Sequence, residues 1–507
     1  MDLLWNIVKK YRLELAILVL LALAYFLFRL YGIMSLPIFT DEAIYIRWSQ
    51  IARFDASWRF ISLTDGKQPL FIWLNVTLIR VIHDPLLSGR LISVFAGFAT
   101  MTGLFFLGRE LFKNRWIGIL SALLYLIFPF ALVYDRMALY DSLVGTFAVW
   151  SLYLEVLLIR RLRLDLALIL GMVLGGGILT KTSGFFSIYL MPFLLLIFDW
   201  KSKKIWERFL KIIILALVSI ILAYGYYSVL RLSPFFHIIN EKNSVFVHSV
   251  SEWLTHPVRD LRSNLNGLID WFTTYFTGLF ILLAIGAFFI KKEYLKEKLL
   301  LFVWFLFPFA ALALFGKILY PRFIFFMTLF LLPLVAFSIY SLFNRIKNKR
   351  IAFALLLLIL ILPLRSDFFI LSSLSKAPIP KSDLEQYVNG WPAGGGVREA
   401  VNFFKAKASD GKIFVATEGT FGLMPYSIEI YLNQNPNVTI FGFWPVEKPP
   451  IEMINASKKM PTYAVFYQPC PSCTYNGGAP VSWPLSLVAR FKKGDGDNYL
   501  SIYKVNP

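Results

Sequence analysis

The sequence predicts a mainly α, polytopic membrane protein of about eleven transmembrane helices, followed by a C-terminal extracytoplasmic α/β domain. Three observations carry this. Hydrophobic residues make up 58% of the 507, and they gather into windows of roughly 20, the length that crosses a bilayer. The short loops between these windows are alternately rich and poor in Lys and Arg. From about residue 366 the long apolar runs give way to short alternating ones, with more Pro, Gly and Asn between them.

The formal net charge of +20 would suggest nucleic acid in a soluble chain. Here the excess sits in loops between apolar segments, and no DNA- or RNA-binding motif accompanies it. The charge therefore fits membrane topology and anionic headgroups, and nucleic acid is set aside as a partner.

The first apolar stretch, Leu13–Met34, follows Lys9, Lys10 and Arg12 and has no Ala-x-Ala cleavage pattern. It reads as an uncleaved first span with a cytoplasmic N-terminus. Further spans are expected near 87–108, 116–134, 139–159, 164–179, 183–200, 209–230, 269–290, 298–316, 323–343 and 350–364. Dense basic loops recur at every second connection: Arg109, Lys113 and Arg115; Arg160, Arg161 and Arg163; Lys201, Lys203, Lys204 and Arg208; Lys291, Lys292, Lys296 and Lys298; Arg345, Lys347, Lys349 and Arg350. The positive-inside rule puts them all in the cytoplasm, on the side of the N-terminus. An odd number of spans then leaves the C-terminal part outside, with the plasma membrane as the expected location. The division is a membrane domain over 1–365, with external loop 35–86, and an extracytoplasmic domain over 366–507.

In loop 35–86, Thr40 is a candidate helix N-cap followed by the adjacent carboxylates Asp41 and Glu42. Ile44, Trp48 and Ile51 recur at helical spacing beside Tyr45, Arg47 and Arg53. This predicts a helix lying in the membrane interface, aromatic face to lipid and basic side chains to headgroups. Acidic residues in a first turn also complement the helix dipole, which needs no function. A second interfacial helix is expected over 69–78. Farther on, His237, His248 and His256 lack the spacing of a metal site. In the C-terminal part, helices are expected over Val397–Lys405 and Ile428–Leu432, and strands at 412–417, 439–443, 463–467 and 499–503. Gly394–Gly396 lacks the context of a phosphate loop and reads as a flexible linker. The only cysteines, Cys470 and Cys473, lie in a Pro- and Gly-rich stretch that favours a small local disulfide over redox chemistry. Asn75, Asn437 and Asn455 satisfy the glycosylation sequon.

Charges at the outer ends of spans are costly unless they have a partner or a task. Asp41, Glu42, Lys67, Arg90, Asp135, Arg136, Asp141, Lys181, Lys317 and Arg322 all fall there. Each cation alone is compatible with snorkelling. Together they place carboxylates and cations on one membrane face, equipment suited to a lipid phosphate beside a hydroxyl acceptor.

Phe39–Glu42 after the first span, Gly66–Trp73, Arg90–Leu91, Arg136–Asp141, Leu179–Lys181 and Tyr320–Arg322 occur in an order that resembles the GT-C membrane glycosyltransferases. The likeness is to the protein O-mannosyltransferase and aminoarabinose transferase superfamily, over roughly 1–345. The resemblance implies a polyprenyl-phosphate sugar donor, a protein, lipid or glycan acceptor, and inversion at the sugar carbon. It implies a catalytic role for Asp41 and matches Asp141 to a second acidic position. Lys67 and Lys181 match basic positions near the donor phosphate, Arg322 the arginine before a late span, and Arg136 belongs to the same external cation set. Glu42 could orient Asp41 or bind a divalent cation, so the cofactor and any metal stay open. The chemistry is base-assisted single displacement, with cations compensating the leaving phosphate. The rival readings are a ligase for lipid-linked glycans and a transporter or flippase. The latter should show paired broken spans, and Gly175–Gly177 has no counterpart in the second half.

Overall fold

A computed structural model of the chain describes residues 11–471 and 473–507; Lys9 and Lys10, on which the sidedness of the first span rests, lie outside them. Among the described residues, seven helices are long and apolar enough to cross a membrane: Arg12–Ser35, Pro85–Phe112, Asp141–Arg161, Ile205–Leu232, Leu295–Phe315, Pro321–Arg345 and Arg350–Ser372. An eighth span is formed if the pair Leu261–Phe276 and Gly278–Ile290, bent by 93°, is counted as one. The protein is thus a multi-pass integral membrane protein, with fewer full-length spans than the eleven expected.

The difference has a local cause at each place. The window 116–134 breaks into Arg115–Leu126 and Pro129–Tyr134, with Pro129 restarting a helix it could not continue. The window 183–200 becomes short turns, Thr182–Phe185, Phe186–Tyr189 and Met191–Leu196. Leu164–Thr180 is a helix of 17 residues, about 26 Å at 1.5 Å per residue, short of a full hydrocarbon core.

The C-terminal residues fold around a five-stranded sheet in the order β4-β3-β5-β7-β6. Its strands are β3 (Ile413–Glu418), β4 (Val438–Phe443), β5 (Thr462–Phe466), β6 (Leu485–Lys492) and β7 (Tyr499–Val505). β3 pairs in parallel with β4 and β5, while β7 is antiparallel to both β5 and β6. β3 and β5 are buried along their whole length, as befits central strands covered on both faces. The helices Val397–Ser409, Leu423–Leu432 and Ile451–Ser457 pack on this sheet. Cys470 and Cys473 are joined by a disulfide.

Two short strands tie the halves together. β1 (Ile38–Phe39) runs antiparallel to β2 (Ala393–Gly394), pairing Ile38 with Gly394 and Phe39 with Ala393. A Cβ at Gly394 would collide with Ile38, so only glycine permits the approach. The stretch read as a flexible linker is therefore ordered: Gly394 is in β2, and Gly396, at φ +89°, opens the following helix.

The helix Thr40–Phe54 also departs from expectation. It does not present an aromatic face to lipid, because Tyr45 and Trp48 are buried and Ala43, Ile46 and Ser49 are fully so. Its outer side is covered by the C-terminal domain. Arg47 Nε pairs with Glu429 Oε2 at 2.5 Å, and Gln50 Nε2 donates to the Ile430 carbonyl at 2.8 Å. Thr40 is not the N-cap; its hydroxyl donates to the Pro392 carbonyl at 2.9 Å.

Candidate active site

Between one end of the spans and the C-terminal domain lies a cavity of about 770 Å³. Five of the seven predicted site residues line it: Asp41, Lys67, Asp141, Lys181 and Arg322. Each is delivered by the end of an element. Asp41 is in the first turn of Thr40–Phe54, and Asp141 opens the helix Asp141–Arg161. Lys181 is the extended residue that terminates Leu164–Thr180, and Arg322 lies in the turn Pro321–Ile324 that begins the span Pro321–Arg345. Lys67 follows Gly66, whose φ of +66° ends the turn Ile61–Asp65. A Cβ on Gly66 would lie 2.7 Å from the Ile238 carbonyl, so glycine is required both by conformation and by space.

The charges form two linked sets. Asp41 accepts from Arg322 at 2.8 Å through Oδ2 and faces Lys67 at 3.5 Å through Oδ1. Lys67 also faces Asp65 at 3.3 Å, and Lys242 binds Asp65 from the other side at 2.5 Å. In the second set Lys181 donates to Asp141 at 2.8 Å. Burial pushes the Asp41 carboxyl up, but Lys67 and Arg322 together outweigh it and hold the group well below the usual carboxylate range. Burial pushes Lys67 down, and Asp41 and Asp65 more than restore it. For Lys181 burial wins over the single Asp141 partner, leaving the ammonium easier to deprotonate than usual.

Around the charges the wall is apolar and aromatic. Val144, Phe186, Tyr189, Leu312 and Phe326 line the side of the spans, and Trp391, Phe421, Tyr467 and Gln468 form a roof from the C-terminal domain. The arrangement can hold an anion against several cations, beside a carboxylate and a long apolar wall.

Glu42 and Arg136 are not brought to this cavity. Glu42 is fully buried and its carboxylate is filled. Arg90 donates to it twice, at 2.9 and 2.8 Å, and the amides of Phe39 and Ala138 at 2.9 and 2.7 Å. It is a clamp closing the first loop, and it is not placed to hold a divalent cation or to touch a substrate. Arg136 is buried behind the site, donating to the Tyr31 carbonyl at 2.7 Å. Among the described residues no group of three or more His, Cys, Asp or Glu converges as a metal set. His248 instead bonds Asp260 at 2.8 Å.

Sequence reasoning passes over Asp65 and Lys242. Asp65 lies two residues from Lys67 and is a visible signal; Lys242 sits in a polar loop with no local mark. The aromatic roof leaves no sign in the sequence either.

Residues 66–226 match the family described as dolichyl-phosphate-mannose-protein mannosyltransferase. The structure is similar to that of ArnT from Cupriavidus metallidurans in the apo state, with TM-score 0.57 and 12% identity, covering 98% of this chain and 100% of that one. The same protein bound to undecaprenyl phosphate matches with TM-score 0.57 and 13% identity, over 98% and 99%. The chain has the GT-C fold. The archaeal oligosaccharyltransferase AglB from Archaeoglobus fulgidus, in complex with an inhibitory peptide and a dolichol-phosphate, shares this GT-C fold. It matches with TM-score 0.54 and 14% identity, over 85% of this chain and 65% of that one. No curated protein matches the chain in sequence. The family match takes in Lys67, Asp141 and Lys181 but begins after Asp41 and ends before Arg322.

Proposed function

We propose that the chain is an inverting membrane glycosyltransferase that moves a sugar from a polyprenyl-phosphate donor to a hydroxyl acceptor. The observation that carries this is the cavity, where carboxylate–cation pairs meet an apolar wall at the outer ends of the spans. The wall suits the prenyl chain and the cations suit the phosphate. The family match and the likeness to proteins bound to undecaprenyl phosphate and dolichol-phosphate support the same donor class.

In this reading the acceptor oxygen attacks the anomeric carbon as the bond from that carbon to the phosphate oxygen breaks. The electron pair leaves with the phosphate, and Lys67, Lys181 and Arg322 compensate the charge. The acceptor proton goes to Asp41. Alone, Asp41 is too well stabilised as an anion to be an effective base. A bound donor phosphate competes for Lys67 and Arg322, and drawing them away makes Asp41 more basic when the donor is in place. One displacement inverts the centre without a sugar–enzyme intermediate.

The alternation of basic loops supports a topology with the N-terminus in the cytoplasm and the cavity and C-terminal domain outside, which we propose together with the plasma membrane as the location. Cysteines introduced in 35–86 and 366–507 should react with a reagent that does not cross the membrane. The native pair is already bonded, which leaves the background low. Protection of either segment in intact cells overturns this topology.

Asp41→Asn tests the chemistry. With a polyprenyl-phosphate sugar and the reconstituted protein, transfer should fall by about a hundredfold or more while donor binding persists. Near-normal turnover would remove Asp41 from the mechanism.

A further inference from the structure

The opposite end of the bundle holds a second recess, of about 480 Å³. Arg161, on its rim, ends the helix whose first residue, Asp141, lines the cavity. At 1.5 Å per residue the two lie about 30 Å apart, the thickness of a hydrocarbon core. The recess is walled by Arg161, Lys203, Lys204, Glu207, Arg208 and Lys211. Lys204 pairs with Glu207 at 3.0 Å. Among the described residues Arg161, Lys203, Arg208 and Lys211 have no acidic partner, and Arg208 Nε is buried without a hydrogen-bond acceptor.

Four other cations at the same end are paired. Lys113 and Arg160 both pair with Glu110, at 2.6 and 2.8 Å. Arg115 pairs with Glu14 at 3.0 Å and Arg163 with Asp165 at 2.6 Å. Unpaired like charges around one hollow repel each other unless an anion sits among them. The helix that carries two of them, Ile205–Ser228, leaves Trp206 78% and Leu210 59% exposed, and Ile214, Leu217 and Ile221 follow along the same exposed flank. An exposed aromatic residue in the first turn of this helix, with an apolar flank running on from it, is the setting of a lipid at the membrane interface.

We propose that this recess binds the headgroup of an anionic phospholipid, with its acyl chains lying along the flank of Ile205–Ser228. The phosphodiester sits among Arg161, Lys203, Arg208 and Lys211, which supply several charge-assisted donors, while the Glu207 carboxylate in the same wall is held by Lys204. Free phosphate shares the headgroup's chemistry but would leave the apolar flank uncovered. The inference stands independently of the transfer reaction.

The test uses the full chain in non-ionic detergent, titrated with phosphatidylglycerol or phosphatidylcholine and read by native mass spectrometry. Phosphatidylglycerol should bind in clear preference. Lys203→Gln should weaken it about fivefold, and the triple variant Lys203→Gln, Arg208→Gln, Lys211→Gln about a hundredfold, at about 1 kcal/mol per cation. The charge-matched control Lys292→Gln, Lys296→Gln, Lys347→Gln, at the same end, should keep wild-type binding. Excess inorganic phosphate should not displace the lipid. Equal losses in both triple variants would overturn the proposal in favour of diffuse charge. Displacement by inorganic phosphate would overturn it in favour of a free-anion site. The single variant keeps the result readable if the triple variant is poorly folded.

Discussion

Asp41 and Glu42 are neighbours in the chain, yet they occupy opposite kinds of place. Glu42 is sealed, with every oxygen engaged by Arg90 or a backbone amide. Asp41 opens on the cavity, and its two cations reach it from distant turns with space left beside them. A helix turns by about 100° per residue, so one step separates a face packed on the spans from a face looking into the cavity. The carboxylate whose partners are all fixed serves the fold. The one whose partners can be shared is available for chemistry.

Breaking each centre should therefore give different losses. The largest effect on folding is expected at the sealed pair. Glu42→Gln or Arg90→Ala leaves a buried charge without its partner and should cost about 3–5 kcal/mol, seen as poor yield and a much lowered thermal midpoint in detergent. Asp41→Asn, with its hundredfold loss of transfer, should lower that midpoint less than either, since the pair it breaks opens on the cavity and Lys67 keeps Asp65. A strongly destabilised Asp41→Asn would erase the contrast.

A smaller effect separates the two cavity lysines from the rest of the bundle. Lys67→Gln and Lys181→Gln each remove a charge-assisted contact and should weaken donor binding about tenfold or more, measured by titration with the polyprenyl-phosphate sugar. Unchanged binding in both would dissociate the cation set from the donor.

A pH effect of similar size extends the comparison to a third carboxylate. Asp383 is fully buried and accepts from the hydroxyls of Tyr275 at 2.5 Å and Tyr134 at 2.9 Å. Burial pushes it up to about 7, against the hydrogen bonds of Tyr275 and Tyr134. Its folded value lies above its unfolded one, so between about pH 4 and pH 7 the unfolded chain has released a proton that the native state keeps. Stability should fall as pH rises through that window and level off above it, by up to about 4 kcal/mol across the whole of it. Asp383→Asn should flatten the fall in thermal midpoint between pH 5 and pH 8. An equally steep fall in the variant would assign the pH dependence to other groups.

The membrane half is legible because an apolar window of some 20 residues is seldom anything but a span. Its breaks are not, because hydropathy is blind to a turn at Pro129 or a bend at Thr277. Asp41, Lys67, Asp141, Lys181 and Arg322 can be found because charge at a span end is expensive, which makes each one stand out. Glu42 and Arg136 satisfy the same test and mislead for the same reason: what distinguishes them is who sits opposite. Arg90 is 48 residues from Glu42, and nothing local reports that pairing. β6 escapes notice because a bulge between Leu487 and Ala489 shifts its alternation. The two-residue pairing of β1 with β2 leaves no pattern to read.

That pairing sets a clock. Thr40, beside Asp41, is held to Pro392, 352 residues farther along the chain. At synthesis rates of about 5–20 residues per second, the interval between the emergence of the two is roughly 20 to 70 s. Throughout it the spans can insert while the first loop lacks the strand that fixes its entry into the helix carrying Asp41. A nascent chain in the membrane would thus hold Lys67, Lys181 and the apolar wall of the early spans well before it held an ordered Asp41, so the competence to bind a lipid phosphate would begin to mature ahead of the competence to transfer from it.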